Sequence, residues 1–284
     1  MITGFRVQNF KAFKDTERIN LKPLVLLSGI NSAGKSSILQ ALLLLKQTLE
    51  SGPGMVLNPG EPLLLGSPVN FLFGFTDGKG NDLPLVYDLI FSYIASRDKP
   101  ETLAPIHNYD NNELLNSLQV ALPEVSLVSN GDELICHLQL TFAWGTFGYL
   151  KQRTIRVDNL KISLEIDTTP LLSLDINPRG FSGSYRLTLI KEGTIPELQN
   201  LEIEQLEVDS FDHFLPESFS ISYPEGTDPL RRDISSRLSQ FLRQLFDNIQ
   251  NDLSEKTYYL SSFRKPPIRF YGYSSTTDSL DPQG

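Results

Sequence analysis

Nine consecutive residues constrain this chain more than any others: Gly29-Ile30-Asn31-Ser32-Ala33-Gly34-Lys35-Ser36-Ser37. They spell G-x-x-x-x-G-K-S, the pattern of a phosphate-binding loop. The flanks agree with the spelling. Leu24-Val25-Leu26-Leu27-Ser28 is a short apolar run that predicts a buried strand. From Ser37 to Leu49, the spacing of Ile38, Leu39, Leu42, Leu43, Leu45 and Leu49 predicts a helix buried over much of its circumference. The alternative, a chance match in a glycine-bearing turn, lacks this strand–loop–helix order. In such a loop Gly29 and Gly34 permit a tight turn whose N–H groups converge on an anion. The helix beginning near Lys35 adds its positive end. Lys35 would then reach the β- and γ-phosphates as the catalytic cation, and the Ser36 hydroxyl would hold Mg²⁺. Asn31, Ser32, Ala33 and Ser37 complete the expected nucleotide-binding set, with ATP and Mg²⁺ as cofactors.

The rest of the composition sets outer bounds. A chain of 284 residues suggests one large domain or two. No run approaches the roughly 18 apolar residues of a membrane span, and Met1-Ile2-Thr3-Gly4-Phe5-Arg6 lacks a signal-peptide plan. Cys136 is the only cysteine, so an intrachain disulfide and a thiolate cluster are both excluded. Cytoplasm is the expected location. The formal charge of −9 argues against a chain wholly given to gripping nucleic acid, though a local basic face is still open. His107, His137 and His213 are too scattered for a zinc site and read as ordinary surface or core residues.

In chain order, Gly4 to Phe10 alternates apolar and polar residues as a strand does. Lys11 to Asp15 reads as a turn, and Glu17 to Leu21 as a second strand. This opening, F-x-V-x-N-F-x-x-F, together with Asn31 in the form G-x-N-x-x-G-K-S-S, resembles the N-terminal part of bacterial ABC-type AAA ATPases. These are the heads of the SMC, RecF and OLD-nuclease group. Leu65 to Asp77 and Thr257 to Tyr271 resemble a subgroup that carries a C-terminal domain of unknown function. The resemblance implies an α/β (α+β) fold: the N-terminal lobe of an ABC head with an antiparallel β-rich insertion and a long amphipathic helix. It also implies that Asn9, Phe10, Lys11 and Phe13 border the adenine or ribose. Plain core packing is the competing reading for the two phenylalanines. By the same resemblance Arg264 stands near the nucleotide or a partner head, or else forms a surface salt bridge.

Three regions are expected: a nucleotide-binding lobe over 1–82, a β-rich middle over 83–227, and a returning helix, strand and tail over 228–284. Strands are expected at Leu85–Ile94, Glu133–Phe142, Thr154–Ile166, Leu171–Ile176 and Ser184–Ile190. Ser96 to Asn116 reads as a loop and Lys191 to Tyr223 as irregular. Asp228 and Pro229 suit the start of a long amphipathic helix. Arg231, Arg232, Arg237 and Arg243 on its other faces suit either a DNA contact or an ordinary mixed-charge surface.

Hydrolysis needs a second carboxylate for Mg²⁺ and a group that orients water. No such strand can be assigned. Asp175 ends an apolar run, but Ile176 follows it where a glutamate is expected. Gly180 to Ser184 only faintly echoes a signature loop, and Asp88, Asp167 and Asp209 fail similarly. The chain therefore reads as an ATP-binding part of an ABC/SMC-like ATPase with nucleotide-gated head association. Its partners would be a second copy, or a missing C-terminal half or partner chain. DNA and anti-phage defence are suggested by the resemblance, and no membrane partner is expected. The rival reading is a non-hydrolysing nucleotide-binding or assembly subunit.

Overall fold

The computed structural model describes residues 1–31, 33–51, 56–67, 70–73, 83–94, 108–121, 133–146, 153–166, 168–179, 184–190, 205–222 and 229–258. Structural statements below refer to these residues. Ten strands form a single sheet: β1 (Ile2–Phe10), β2 (Phe13–Asp15), β3 (Ile19–Asn20), β4 (Leu85–Ile94), β5 (Glu133–Thr146), β6 (Arg153–Ile166), β7 (Thr169–Arg179), β8 (Ser184–Ile190), β9 (Gln205–Asp212) and β10 (Leu215–Ser222). Three helices accompany it: α1 (Lys35–Leu49), α2 (Asn108–Ala121) and α3 (Pro229–Leu253). The strand order is β10-β9-β8-β7-β6-β5-β4-β1-β2, with β3 also paired to β1, and every pairing is antiparallel. The protein is thus a mixed α/β structure with an antiparallel sheet. Strands from both sides of residue 83 share that sheet, because β1 pairs directly with β4.

The two-residue period of the strands selects one apolar face. Leu85, Tyr87, Leu89, Phe91 and Tyr93 of β4 align with Leu134, Cys136, Leu138, Leu140 and Phe142 of β5, all buried. On α3, Leu238, Phe241, Leu242, Leu245, Phe246, Ile249 and Leu253 recur at helical steps and join the same core. α3 packs on α1, α2 and β10. The Tyr87 hydroxyl donates to the Ala41 carbonyl of α1 at 3.2 Å, and so ties the sheet to that helix. The opposite face carries a polar row. Arg6 pairs with Asp88, Gln139 donates to Asp88, and Lys161 pairs with Asp175.

The turn between β9 and β10 reaches back to α1. His213, buried and at φ 58°, faces the Ser51 carbonyl at 2.6 Å through Nε2 and the Asp212 carboxylate at 2.6 Å through Nδ1. Gln250 of α3 donates to the other oxygen of Asp212. The far end of the sheet therefore braces the C-terminal end of α1.

Four sequence expectations need correction. Leu24 to Ser28 is not a strand: it pairs with no described neighbour, and Leu24 and Leu26 are 88% and 86% exposed. An apolar run becomes a strand only when another strand satisfies its backbone. The loop expected over Ser96–Asn116 gives way to α2 from Asn108, where Leu114, Leu115, Leu118 and Ala121 make a buried stripe inside a polar composition. The irregular stretch Lys191–Tyr223 contains the hairpin β9–β10. Pro216 is tolerated there because β10 is the sheet edge and needs no N–H on its open side. The second strand is also shorter than Glu17–Leu21, and Phe13–Asp15, expected as part of a turn, pairs with β1.

Candidate functional site

α1 starts without help from any side chain. Gly34 is its N-cap residue at φ 89°, no side chain caps it, and no acidic residue stands in its first turn. The first N–H groups of a helix have no intrahelical acceptor. Here the loop supplies few substitutes: Ala33 N–H donates to the Ile30 carbonyl, while the Ser37 and Ile38 N–H groups share the Gly34 carbonyl. What is left is a positive helix end facing a glycine turn, a ready site for an anion.

Lys35 sits over that turn. Its Nζ donates to the Gly29 carbonyl at 2.7 Å and the Ile30 carbonyl at 2.6 Å. An ammonium has three donor directions, and two are spent on neutral carbonyls. A phosphate oxygen offers the stronger charge-assisted bond. Gly29, at φ 149°, and Gly34 have conformations that suit glycine alone. Asn31, Ala33 and Ser36 are exposed, and Ser37 is half-buried. Ser32 lies outside the described residues.

The early β1–β2 turn lies against this loop. A Cβ on Gly34 would fall 2.5 Å from the Cζ atom of Phe13, so the Phe13 ring rests on the loop backbone. Lys11, at φ 51°, donates from Nζ to Gln40 Oε1 of α1 at 2.6 Å. Burial lowers its pKa from the ordinary lysine value. Phe10 and Asn9 turn the other way. Phe10 is fully buried against Phe71, and the Asn9 side chain donates to the Pro84 carbonyl at 2.6 Å. So of the four residues expected beside the base or sugar, the structure brings Phe13 and Lys11 to the loop and its helix. Phe10 and Asn9 serve the packing beneath. Arg264 lies outside the described residues.

Two features of the site were not anticipated from sequence. Gln40 anchors Lys11, and a glutamine on a leucine-rich helix gives no sequence signal for that. Leu24, Leu26 and Leu39, expected to be buried, are exposed, as is Ile30 within the loop.

The carboxylates considered earlier are accounted for elsewhere. Asp88 is held by Arg6 and Gln139, and Asp175 by Asn159 and Lys161. Asp209 is exposed on β9, and Asp167 lies outside the described residues. Among the described residues no group of three or more His, Cys, Asp or Glu side chains could hold a metal. Mg²⁺ fits only in part: the exposed Ser36 hydroxyl at the uncapped helix start can supply one oxygen, and the nucleotide phosphates others.

A mixed α/β fold with a G-x-x-x-x-G-K-S turn on an open helix end suits a phosphate-bearing ligand. The family is more specific. A family model described as an AAA ATPase domain matches residues 1–278, and the chain belongs to that family. Membership implies a nucleotide-binding ATPase with ATP as ligand. No curated protein and no solved structure matched the chain. No described helix is long and apolar enough to cross a membrane.

Proposed function

We propose that this chain is the ATP-binding part of an ABC/SMC-like ATPase, in which nucleotide gates association with a second head. The observation that carries the reading is the helix start at Gly34-Lys35: uncapped, free of acidic residues, and roofed by the Lys35 ammonium. In this reading Lys35 leaves the Gly29 and Ile30 carbonyls for the β- and γ-phosphates. The N–H groups of Gly34, Lys35 and Ser36 at the helix start would hold the β-phosphate. The Ser36 hydroxyl would hold Mg²⁺, which when bound would supply neutralisation of phosphate charge. Phe13, resting on Gly34, lines the approach to the loop, and Lys11 stands behind it on Gln40.

The loop alone does not complete a hydrolytic site. Among the described residues no group of three or more His, Cys, Asp or Glu side chains could hold a metal, and Leu24 and Leu26 are exposed on an apolar segment with no described strand partner. Both facts support completion by a further segment or partner chain, whose strands would cover Leu24–Ser28. The subgroup resemblance extends the proposal to DNA-related or anti-phage work in the cytoplasm.

The test is nucleotide binding by the parent chain and Lys35→Ala, read with a fluorescent ATP analogue. A loss of tenfold or more is expected, about 1.4 kcal/mol. Unchanged affinity in a folded variant would remove the site assignment.

A further inference from the structure

Lys11, half-buried in the turn between β1 and β2, is tied to the helix that the phosphate loop opens. Its main chain is fixed first. Asn9 and Lys11 sit at φ 61° and 51°, conformations that non-glycine residues rarely adopt. Lys11 N–H donates to the Phe71 carbonyl at 2.6 Å, and Phe73 N–H donates to the Asn9 carbonyl at 2.9 Å. Two residues on, the Phe13 ring rests on Gly34. Backbone strain persists only where neighbouring contacts over-determine it, and it gathers at functional sites.

The side chain is then held from α1. Lys11 Nζ donates to Gln40 Oε1 at 2.6 Å and lies 5.9 Å from the centre of the Phe10 ring. Among the described residues no carboxylate pairs with it, and burial without a compensating charge lowers its pKa. An ammonium has three donor directions, and the amide takes one. A neutral amide oxygen fixes the ammonium and leaves its charge unspent, whereas a carboxylate would cancel it. Gln40 stands four residues after Ser36, one helical turn along the same face, and helical side chains lean toward the N-terminus. The amide thus turns the Lys11 charge toward the first turn of α1, where the phosphate loop ends.

We propose, resting on the nucleotide reading above, that Gln40 is a positioning residue of the nucleotide site: it holds the Lys11 ammonium as an uncompensated charge whose counter-ion is the phosphate chain of the bound nucleotide. Two consequences separate this role from simple packing. Gln40 acts only through Lys11, so its effect on nucleotide affinity vanishes once the ammonium is gone. An acid at position 40 pairs with Lys11 in the empty chain, so it weakens nucleotide binding without weakening the fold. A unit charge about 10 Å from a phosphate, at an effective dielectric near 20, shifts affinity by roughly tenfold.

The experiment measures binding of ATP, ADP and adenosine to the full chain by calorimetry, with thermal melts of the nucleotide-free protein in parallel. Lys11→Met should bind ATP roughly tenfold more weakly, with a smaller loss for ADP and none for adenosine. Gln40→Met should lose about threefold for ATP in the parent and nothing further in the Lys11→Met background. Gln40→Glu should melt no lower than the parent and still bind ATP more weakly. The proposal is overturned if Lys11→Met binds ATP like the parent, or if Gln40→Met loses the same factor with and without Lys11. An equal loss for adenosine assigns Lys11 to the base or sugar and overturns it too, as does a Gln40→Glu chain that melts lower in step with its affinity. Each of these results leaves a loop that Lys35→Ala disables intact. A parent chain that binds no ATP removes the nucleotide reading and this role together.

Discussion

Replacing Gly34 by alanine tests the phosphate loop and the seat of Phe13 on it together. Two costs can be read from the structure. Gly34 sits at φ 89°, a conformation in which an L side chain costs about 1–2 kcal/mol. The added methyl would also lie 2.5 Å from Phe13 Cζ and 2.8 Å from Cε2, where ordinary contact begins near 3.4 Å. The ring must withdraw by about 1 Å, and overpacking of that kind costs roughly 1–3 kcal/mol. Gly34→Ala should therefore destabilise the chain by about 2–5 kcal/mol, a large part of the ~5–15 kcal/mol typical of a domain. Urea denaturation at unchanged m-value reads this directly. The two costs separate in a double-mutant cycle with Phe13→Ala. Removing the ring relieves the clash and leaves the backbone strain, so the double variant should be more stable than additivity predicts by about 1–3 kcal/mol. Binding of an ATP analogue should remain impaired in Gly34→Ala even where folding is rescued, because the loop N–H groups are displaced. Strict additivity would show that Phe13 does not rest on the loop. Full stability together with full nucleotide binding in Gly34→Ala would refute the loop geometry itself.

Other predictions are narrower. Leu26→Asp should leave the stability of the isolated chain within about 0.5 kcal/mol, because the side chain is already 86% exposed. The same change should abolish association with any segment that completes the site, measured by co-purification with that segment. Arg6 holds the Asp15 carboxyl well below the usual carboxylate range through a 2.6 Å ion pair. A depressed folded pKa contributes stability above the unfolded value of about 3.9, and that contribution is lost as pH falls below it. Asp15→Asn should accordingly flatten the fall in stability between pH 4 and pH 2 in a denaturation series. Burial pushes the Cys136 thiol well above its ordinary pKa, so a thiol reagent at neutral pH should label it only after unfolding. Tyr87→Phe should cost about 0.5–1.5 kcal/mol, the net worth of its bond to Ala41, by chemical denaturation.

Much of this protein is written locally. The phosphate loop and α1 follow from glycine spacing and from leucines at helical steps. Strands β4 to β8 are apparent as runs with a two-residue period, and α3 as a helix that Pro229 can start. These signals are legible because each depends on neighbours within a few residues. The spelling of residues 29–37 also points to a phosphate-binding turn. Tertiary structure decided everything that needs a distant partner. α2 is polar by composition, and only its packing on α3 turns three leucines and an alanine into a buried stripe. The hairpin β9–β10 exists because the edge position excuses Pro216 and because His213 finds the end of α1. Phe10 and Phe13, alike in sequence, divide between core and loop according to which side of the β1–β2 turn each occupies. Leu24 to Ser28 shows the limit most clearly. Its composition says strand, yet a strand is a relation between two backbones, and no partner for this one stands among the described residues.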